Sequence, residues 1–229
     1  MRLIDKEKHC LACNSTCDIF LTAKEMNLEQ ELNPVHIVYK KHEIICREHA
    51  SITHSINLVE GNAKMFVSGL HGKNIMLSIL MPGNYIGLTA IFGSAKYAYN
   101  VSALTPCHTC QVNIGLVKRM YHNNSLFQEK LNKAFGITMA NMMSKLVSLN
   151  QKQMRAKVAE SLLYIAQLFE SNRFVLPVTR KELGELSAIT GENVVRVLSE
   201  FKQEGIIQLE AKEVIILQPE VLKNISLAG

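Results

Sequence analysis

Two groups of residues have the types and spacing to do chemistry. The first is sulfur. Cys10, Cys13 and Cys17 form a C-x2-C-x3-C segment near the start, Cys107 and Cys110 form a second pair, and Cys46 stands alone. Clustered thiolates hold soft metals. An iron–sulfur cluster takes four of them, C-x2-C also suits tetrahedral zinc, and thiols without metal, acting by redox chemistry alone or not at all, are the third reading. Cys46, in a strand-like run, reads as a small buried hydrophobe. His9 and His108 flank the cysteines and read as bystanders.

The second group lies between Val178 and Leu217. Thr179 with Glu182 three residues on is a capping box, so a helix starts there. Leu183 and Leu186 mark its buried face, and Ser187 to Gly191 interrupts the pattern. A second helix carries Val194, Val197, Leu198 and Phe201 on one stripe and stops at Gly205. Ile206 to Leu209, a polar turn over Glu210 to Glu213, and Val214 to Leu217 make a hairpin. Two short helices, a tight turn and a hairpin read as a winged helix-turn-helix, whose second helix enters the DNA major groove. Its exposed face would carry Gly191, Glu192, Val195, Arg196 and Ser199, with Thr179 and Arg180 at the start of the first helix as further DNA contacts. Glu192 and Arg196, four apart, sit side by side. A carboxylate can accept from cytosine N4, and a guanidinium can pair bidentately with guanine. An exposed ion pair on a surface helix is the plainer alternative.

The elements that must position these groups follow from the rest of the chain. The 229 residues are 48% apolar with a net charge of +5, enough for one large or two modest folded domains. Residues 151–229 hold ten Lys or Arg and ten Asp or Glu, so charge alone does not indicate nucleic acid. Met1 to His9 is charged rather than signal-like, and no apolar run approaches the ~20 residues of a membrane span. A cytoplasmic protein with no membrane partner is expected. No His-x-His grouping, nucleophile elbow or phosphate loop points to an enzyme.

Four regions are expected: a cysteine-rich segment at 1–20, a sensor domain at 21–122, a dimerisation helix at 123–150 and the DNA-binding domain at 151–229. Met26 to Leu32 reads as a short helix. Period-two runs at Ile37–Tyr39, Glu43–Cys46, Ser55–Val59, Lys64–Val67, Met76–Leu80 and Thr109–Ile114, separated by glycine turns, predict a β jelly roll. Ile86 to Phe92 reads as a helical insert. Asn123 to Phe169 is helical, with Ser125 as cap and a break at Gln151-Lys152-Gln153. Phe135, Met139, Met142, Leu146 and Leu149 recur at spacings 4, 3, 4, 3, the seam of a two-helix contact. Reading a palindromic site needs two recognition helices ~34 Å apart, which gives a reason for a homodimer. A helix packed on its own sandwich is the plainer alternative. The fold class is α+β, a cyclic-nucleotide-binding-type jelly roll, a long helix and a C-terminal winged helix-turn-helix.

This order resembles the Crp/Fnr family of bacterial transcription regulators along the whole chain. SINLVEGNAKMFV, with Gly61 at its turn, and HGKNIMLSILMPGNYIGLTAIF, with Gly72, Pro82, Gly83 and Gly87, are similar to the family's hairpins. GENVVRVLSEFKQEGII is similar to its recognition helix, with Glu192 and Arg196 on base-reading positions. Val195 stands where well-known branches hold Gly or Ser. The resemblance implies double-stranded DNA with a palindromic operator, and RNA polymerase, as partners. Members that bind cyclic AMP use a Glu after the glycine of the short helix and an Arg-Ser pair. Here Leu88 follows Gly87, and Lys96 to Val101 holds no Arg, so cyclic AMP is not expected. The Fnr-like branch holds a [4Fe–4S] cluster on three N-terminal cysteines and one distant one. That resemblance implies Cys10, Cys13, Cys17 and, from ALTPCHTCQV, Cys110 as ligands; a shift of three residues would choose Cys107. A jelly-roll pocket taking haem or an organic effector, with the cysteines incidental, is the competing sensor.

Overall fold

The computed structural model describes residues 2–3 and 17–228, so Cys10 and Cys13 and most of the cysteine-rich segment lie outside the described residues. The chain divides into two compact units. One comprises the N-terminal part through Val67 with Ile79–Ala140; the other comprises Ser68–Ser78 with the chain from Asn141 onward.

The expected jelly roll is present. Its strands are β1 (Arg2–Leu3), β2 (Val35–Tyr39), β3 (Ile44–Cys46), β4 (His54–Glu60), β5 (Ala63–Val67), β6 (Ile75–Leu80), β7 (Tyr85–Ile86), β8 (Asn100–Ala103) and β9 (Cys107–Asn113). All of them but most of β6 lie in the first unit. The six strands expected from period-two runs are present within two residues at each end. One sheet runs β1-β2-β9-β4-β7 and the other β3-β8-β5-β6. Between the sheets, Tyr39, Ile56 and Leu58 are buried, as is Cys46 of the opposite sheet. Gly61 turns β4 into β5 with φ +82°, and a Cβ there would meet the Pro106 carbonyl at 2.2 Å, so no other residue fits.

Helices cover the outer face of the first sheet. They are α1 (Asp18–Glu25), α2 (Ile114–Asn123) and the start of α3 (Ser125–Gln151). The helix expected over Met26–Leu32 is instead a single 3-10 turn, Glu29–Glu31; the helix lies earlier, because Ile19, Thr22 and Ala23 make its buried face at i, i+3, i+4. The expected insert at Ile86–Phe92 is likewise one 3-10 turn, Leu88–Ala90, entered through Gly87 in the left-handed region. The long helical stretch begins sooner than Asn123 and is three helices, with α4 (Met154–Leu168) after the break at Lys152 and Gln153. The cap of α3 is Asn124 rather than Ser125: Asn124 Oδ1 accepts from the Phe127 amide at 2.9 Å.

The second unit contains α4, β10 (Arg173–Val175), α5 (Arg180–Ser187), α6 (Gly191–Gln203), β11 (Ile207–Glu210), β12 (Glu213–Ile216) and α7 (Pro219–Leu227). Between α4 and α5, β10 pairs with β12 and makes the wing a three-stranded sheet, β10-β12-β11, where the sequence indicates only a hairpin. No helix among the described residues is long and apolar enough to cross a membrane.

Candidate functional site

The helix-turn-helix is built by local hydrogen bonds. The Thr179 hydroxyl accepts from the Glu182 amide at 3.2 Å, and the Glu182 carboxylate accepts from the Thr179 amide at 2.9 Å, which closes the capping box. Ala188 in the left-handed region ends α5, and Thr190 caps α6 by accepting from the Asn193 amide at 3.3 Å. Gly184 makes the turn tight: a Cβ there would lie 2.7 Å from the Ile189 carbonyl.

α6 buries Val194, Val197, Leu198 and Phe201 and leaves Glu192, Val195, Arg196 and Ser199 exposed, with Gly191 half-buried. The expected reading face is therefore clear of the unit's own core. Two of the expected site residues are engaged elsewhere. Arg196 leans away from Glu192, with Nε 3.9 Å from Glu200 and Nη2 3.9 Å from Met154 Sδ. Arg180 donates to the Ala211 carbonyl in the β11–β12 turn at 3.1 Å, tying the start of α5 to the wing. Sequence reasoning missed Arg155 on α4. It donates to Glu200 at 2.9 Å and to both carboxylate oxygens of Glu204 at 2.7 and 2.8 Å, with its guanidinium 5.0 Å from the Phe201 ring centre. That fork ties α4 to the C-terminal half of α6.

The predicted helix seam is only partly open. Phe135 packs at a tilt against Phe92 with ring centres 4.6 Å apart, and Met142 and Leu149 are half-buried. Met139 and Leu146 are exposed, together with Met143 and Val147. The open stripe is thus rotated from the predicted seam toward Met143.

Among the cysteines, strand geometry decides which face each takes. Cys107 and Cys110 are three apart on β9, so they point to opposite faces. Cys107 lies opposite Tyr39 on the face toward the other sheet, and its thiol donates to the Asn62 and Thr105 carbonyls at 3.2 and 3.3 Å. Burial raises its pKa, and it pushes that of Cys46 to about 12, so both stay thiols at neutral pH. Cys110 faces the helices. It belongs to an apolar cluster with Ile19 and Ala23 of α1, Leu116 and Met120 of α2, and Phe127 of α3, and Cys17 packs against the same cluster.

Cys110 sits in a row that crosses the sheet: His36 on β2, Cys110 on β9, Asn57 on β4 and Tyr85 on β7 are successive direct partners. His36 Nδ1 lies 2.9 Å from His108 Nε2 on this face. Burial, followed by the nearby Cys17, Asp18 and Cys110, holds the Tyr85 phenol far above its usual range, so it remains a hydrogen-bond donor. Ser55 Oγ and Asn57 Oδ1, also on this face, are buried with no hydrogen-bond partner among the described residues. Among the described residues no three His, Cys, Asp or Glu converge as a metal site. The sulfur pair Cys17 and Cys110, with orphaned polar groups beside it, nevertheless suits a group held by thiolates. At ~3.5 Å per residue, Cys13 can reach points within about 14 Å of Cys17 and Cys10 within about 25 Å.

A sandwich of this topology joined to a winged helix-turn-helix defines a class, the regulators that couple a sensor domain to a DNA reader. Comparison with known proteins narrows it. The family model described as "Cyclic nucleotide-binding domain" matches residues 36–124, and the "Crp-like helix-turn-helix domain" matches residues 156–225. The chain is 21% identical over 220 residues to the transcriptional activator protein FnrA of Stutzerimonas stutzeri, covering 93% of this chain and 90% of the relative. It is 28% identical over 170 residues to the transcriptional activator protein FnrL of Cereibacter sphaeroides, covering 70% and 67%. The structure of FixK2 from Bradyrhizobium japonicum superposes with a TM-score of 0.78 at 19% identity, over 85% of this chain and 98% of that one. A CooA mutant from Carboxydothermus hydrogenoformans gives 0.75 at 17% identity, over 98% of both chains. The chain belongs to the Crp/Fnr family of transcription regulators.

Proposed function

We propose that this regulator reads a redox signal, oxygen or nitric oxide, through a [4Fe–4S] cluster held by Cys10, Cys13, Cys17 and Cys110, and that the signal sets its affinity for a palindromic operator. The family's regulators bind DNA and function as dimers, and the exposed face of α6 supplies the base-reading groups. The observation that carries the sensor is the packing of Cys17 and Cys110, distant in sequence, against one apolar cluster on the helix-covered face of the jelly roll. When bound, the cluster supplies a centre that oxidants degrade and that thiolate ligation makes sensitive to its surroundings. The chain's own part is to hold both sulfurs near the base of α3. Cys17 sits at the N-terminus of α1, and Asp18, the next residue, pairs with Lys130 of α3 at 2.6 Å. A displacement of Cys17 is therefore felt by the long helix. RNA polymerase is the partner that an activator of this kind would contact. Cyclic AMP is not the proposed signal: Leu88, where nucleotide-binding members carry Glu, packs against the apolar cluster.

The test is to purify the protein without oxygen, measure iron, sulfide and visible absorption, and compare operator binding before and after air. Absence of iron and sulfide, or equal binding in both states, refutes the redox reading.

A second reading has one observation in its favour. A cavity of about 530 Å³, lined by residues including Tyr39, Arg47, His54, Tyr97 and Gln111, opens in the first unit and is within the size range of small-ligand sites. An organic effector there would leave the cysteines incidental. Replacing Cys10, Cys13 and Cys17 by Ser separates the two readings: a retained signal response supports the cavity.

A further inference from the structure

The row across the first sheet places a polar amide where an apolar residue would pack better. Asn57 is 8% exposed and Ser55 is fully buried, and Asn57 Oδ1 and Ser55 Oγ have no partner among the described residues. Leaving such an atom unpaired in an apolar setting costs about 1–3 kcal/mol. Asn57 is the direct cross-strand partner of Cys110, and Ser55 is its diagonal neighbour on the same face. Directly opposed side chains stand about 5 Å apart at Cβ and diagonal ones about 7–8 Å, so both polar groups lie within reach of whatever the Cys110 sulfur holds. On the other side of Cys110 the direct partner is His36, already engaged with His108.

We propose that Asn57, assisted by Ser55, donates hydrogen bonds to the sulfur atoms of the group bound at Cys110 and so sets how easily that group is oxidised. This rests on the cluster reading above. The amide turns about a terminal torsion that is broad and roughly two-fold, so its NH2 end can face the sulfurs. A hydrogen bond to a cluster sulfur or its thiolate stabilises the more negative, reduced state, and such bonds are among the levers that set cluster potentials. The direction follows: with the donor the cluster resists oxidation, and without it the potential falls and the cluster is lost faster. Asn57 and Ser55 are positioning residues for the cluster and do not ligate it.

The test uses the full-length protein, native and Asn57→Leu, each reconstituted anaerobically with iron and sulfide. Leu keeps the branched outline of Asn, is somewhat larger, and removes the amide. If Asn57 acts only on the fold, Asn57→Leu raises the melting temperature of the cluster-free protein, since an orphaned atom is removed, and leaves the cluster unchanged. The proposal expects visible absorption like that of the native protein, a more negative midpoint potential in a spectroscopic titration, and cluster bleaching in air about tenfold faster, the lower end of the effects of outer-shell partners on metal sites. Ser55→Ala is expected to shift the potential in the same direction by less, and it serves as the readout if Asn57→Leu does not fold. Native-like potential and bleaching in the folded variant overturn the proposal while leaving the cluster reading intact. A native protein that takes up no iron and sulfide overturns both.

Discussion

Arg196 is the side chain on which the proposed reading of DNA depends most. It stands on the exposed face of α6, and in the free protein its guanidinium rests 3.9 Å from Glu200. An exposed pair at that separation contributes little, so the guanidinium is easily drawn to a guanine edge. Arg196→Ala is expected to weaken binding to the cognate duplex by about 1–3 kcal/mol and to relax specificity at one position. Fluorescence anisotropy with cognate and single-substituted duplexes checks this, and unchanged cognate binding means that α6 docks differently. A different kind of residue effect is expected at Lys145. Its ammonium donates to the Leu186 carbonyl at the end of α5, and burial, partly opposed by Glu160, lowers its pKa from 10.5 to about 8. Between these values the unfolded chain binds a proton that the folded chain does not, so this group makes stability rise as pH increases from about 8 to 10.5. Lys145→Met is expected to remove that rise, read as the difference between native and variant melting temperatures across the window.

At the scale of elements, the legible parts of the fold were those with short-range signals. The capping box at Thr179 and Glu182, the stripe Val194, Val197, Leu198, Phe201 and the period-two strand runs each carry their structure within a few residues, and all are present. β10 was not legible, because Arg173 to Val175 becomes a strand only by pairing with β12, some 40 residues on. α2 did carry a signal, Asn113 as N-cap before Leu116, Val117, Met120 and Tyr121, but it abuts β9 and was absorbed into the strand ending at Ile114. Arg155 was invisible because its partners Glu200 and Glu204 lie on another helix. The helix seam shows the limit of periodicity. It finds an apolar face but not which edge the chain itself covers: Phe92 takes the Phe135 edge and leaves Met139, Met143, Leu146 and Val147 open to solvent. If that stripe is the subunit contact, Met143→Glu places a charge at its centre, where burial without a partner is strongly unfavourable. The expected outcome is a monomer mass by light scattering and loss of operator binding, since one recognition helix alone reads half a site. A dimer mass for the variant would place the interface elsewhere.

At the scale of the whole molecule, the question is whether the cysteine face controls the DNA reader. Sequence spacing named Cys110 and Cys107 as alternatives because a three-residue shift preserves the alignment; the strand separates them, because the same shift reverses the face of the sheet. That separation yields a prediction. Coupling requires that the bound group favour one state of the protein over another, and such couplings typically amount to about 5–150-fold in affinity. Native protein kept without oxygen is therefore expected to bind its operator at least about tenfold more tightly than the same protein after air. Cys110→Ser should bind weakly under both conditions and show little visible absorption when reconstituted. Cys107→Ser and Cys46→Ser should keep the native response, because both thiols face away from Cys17, protonated and buried between the sheets. The comparison of Cys110 with Cys107 is the informative one. The two substitutions are chemically identical and three residues apart on the same strand, so general damage to the jelly roll would affect both, whereas a sensor on the helix-covered face responds to only one.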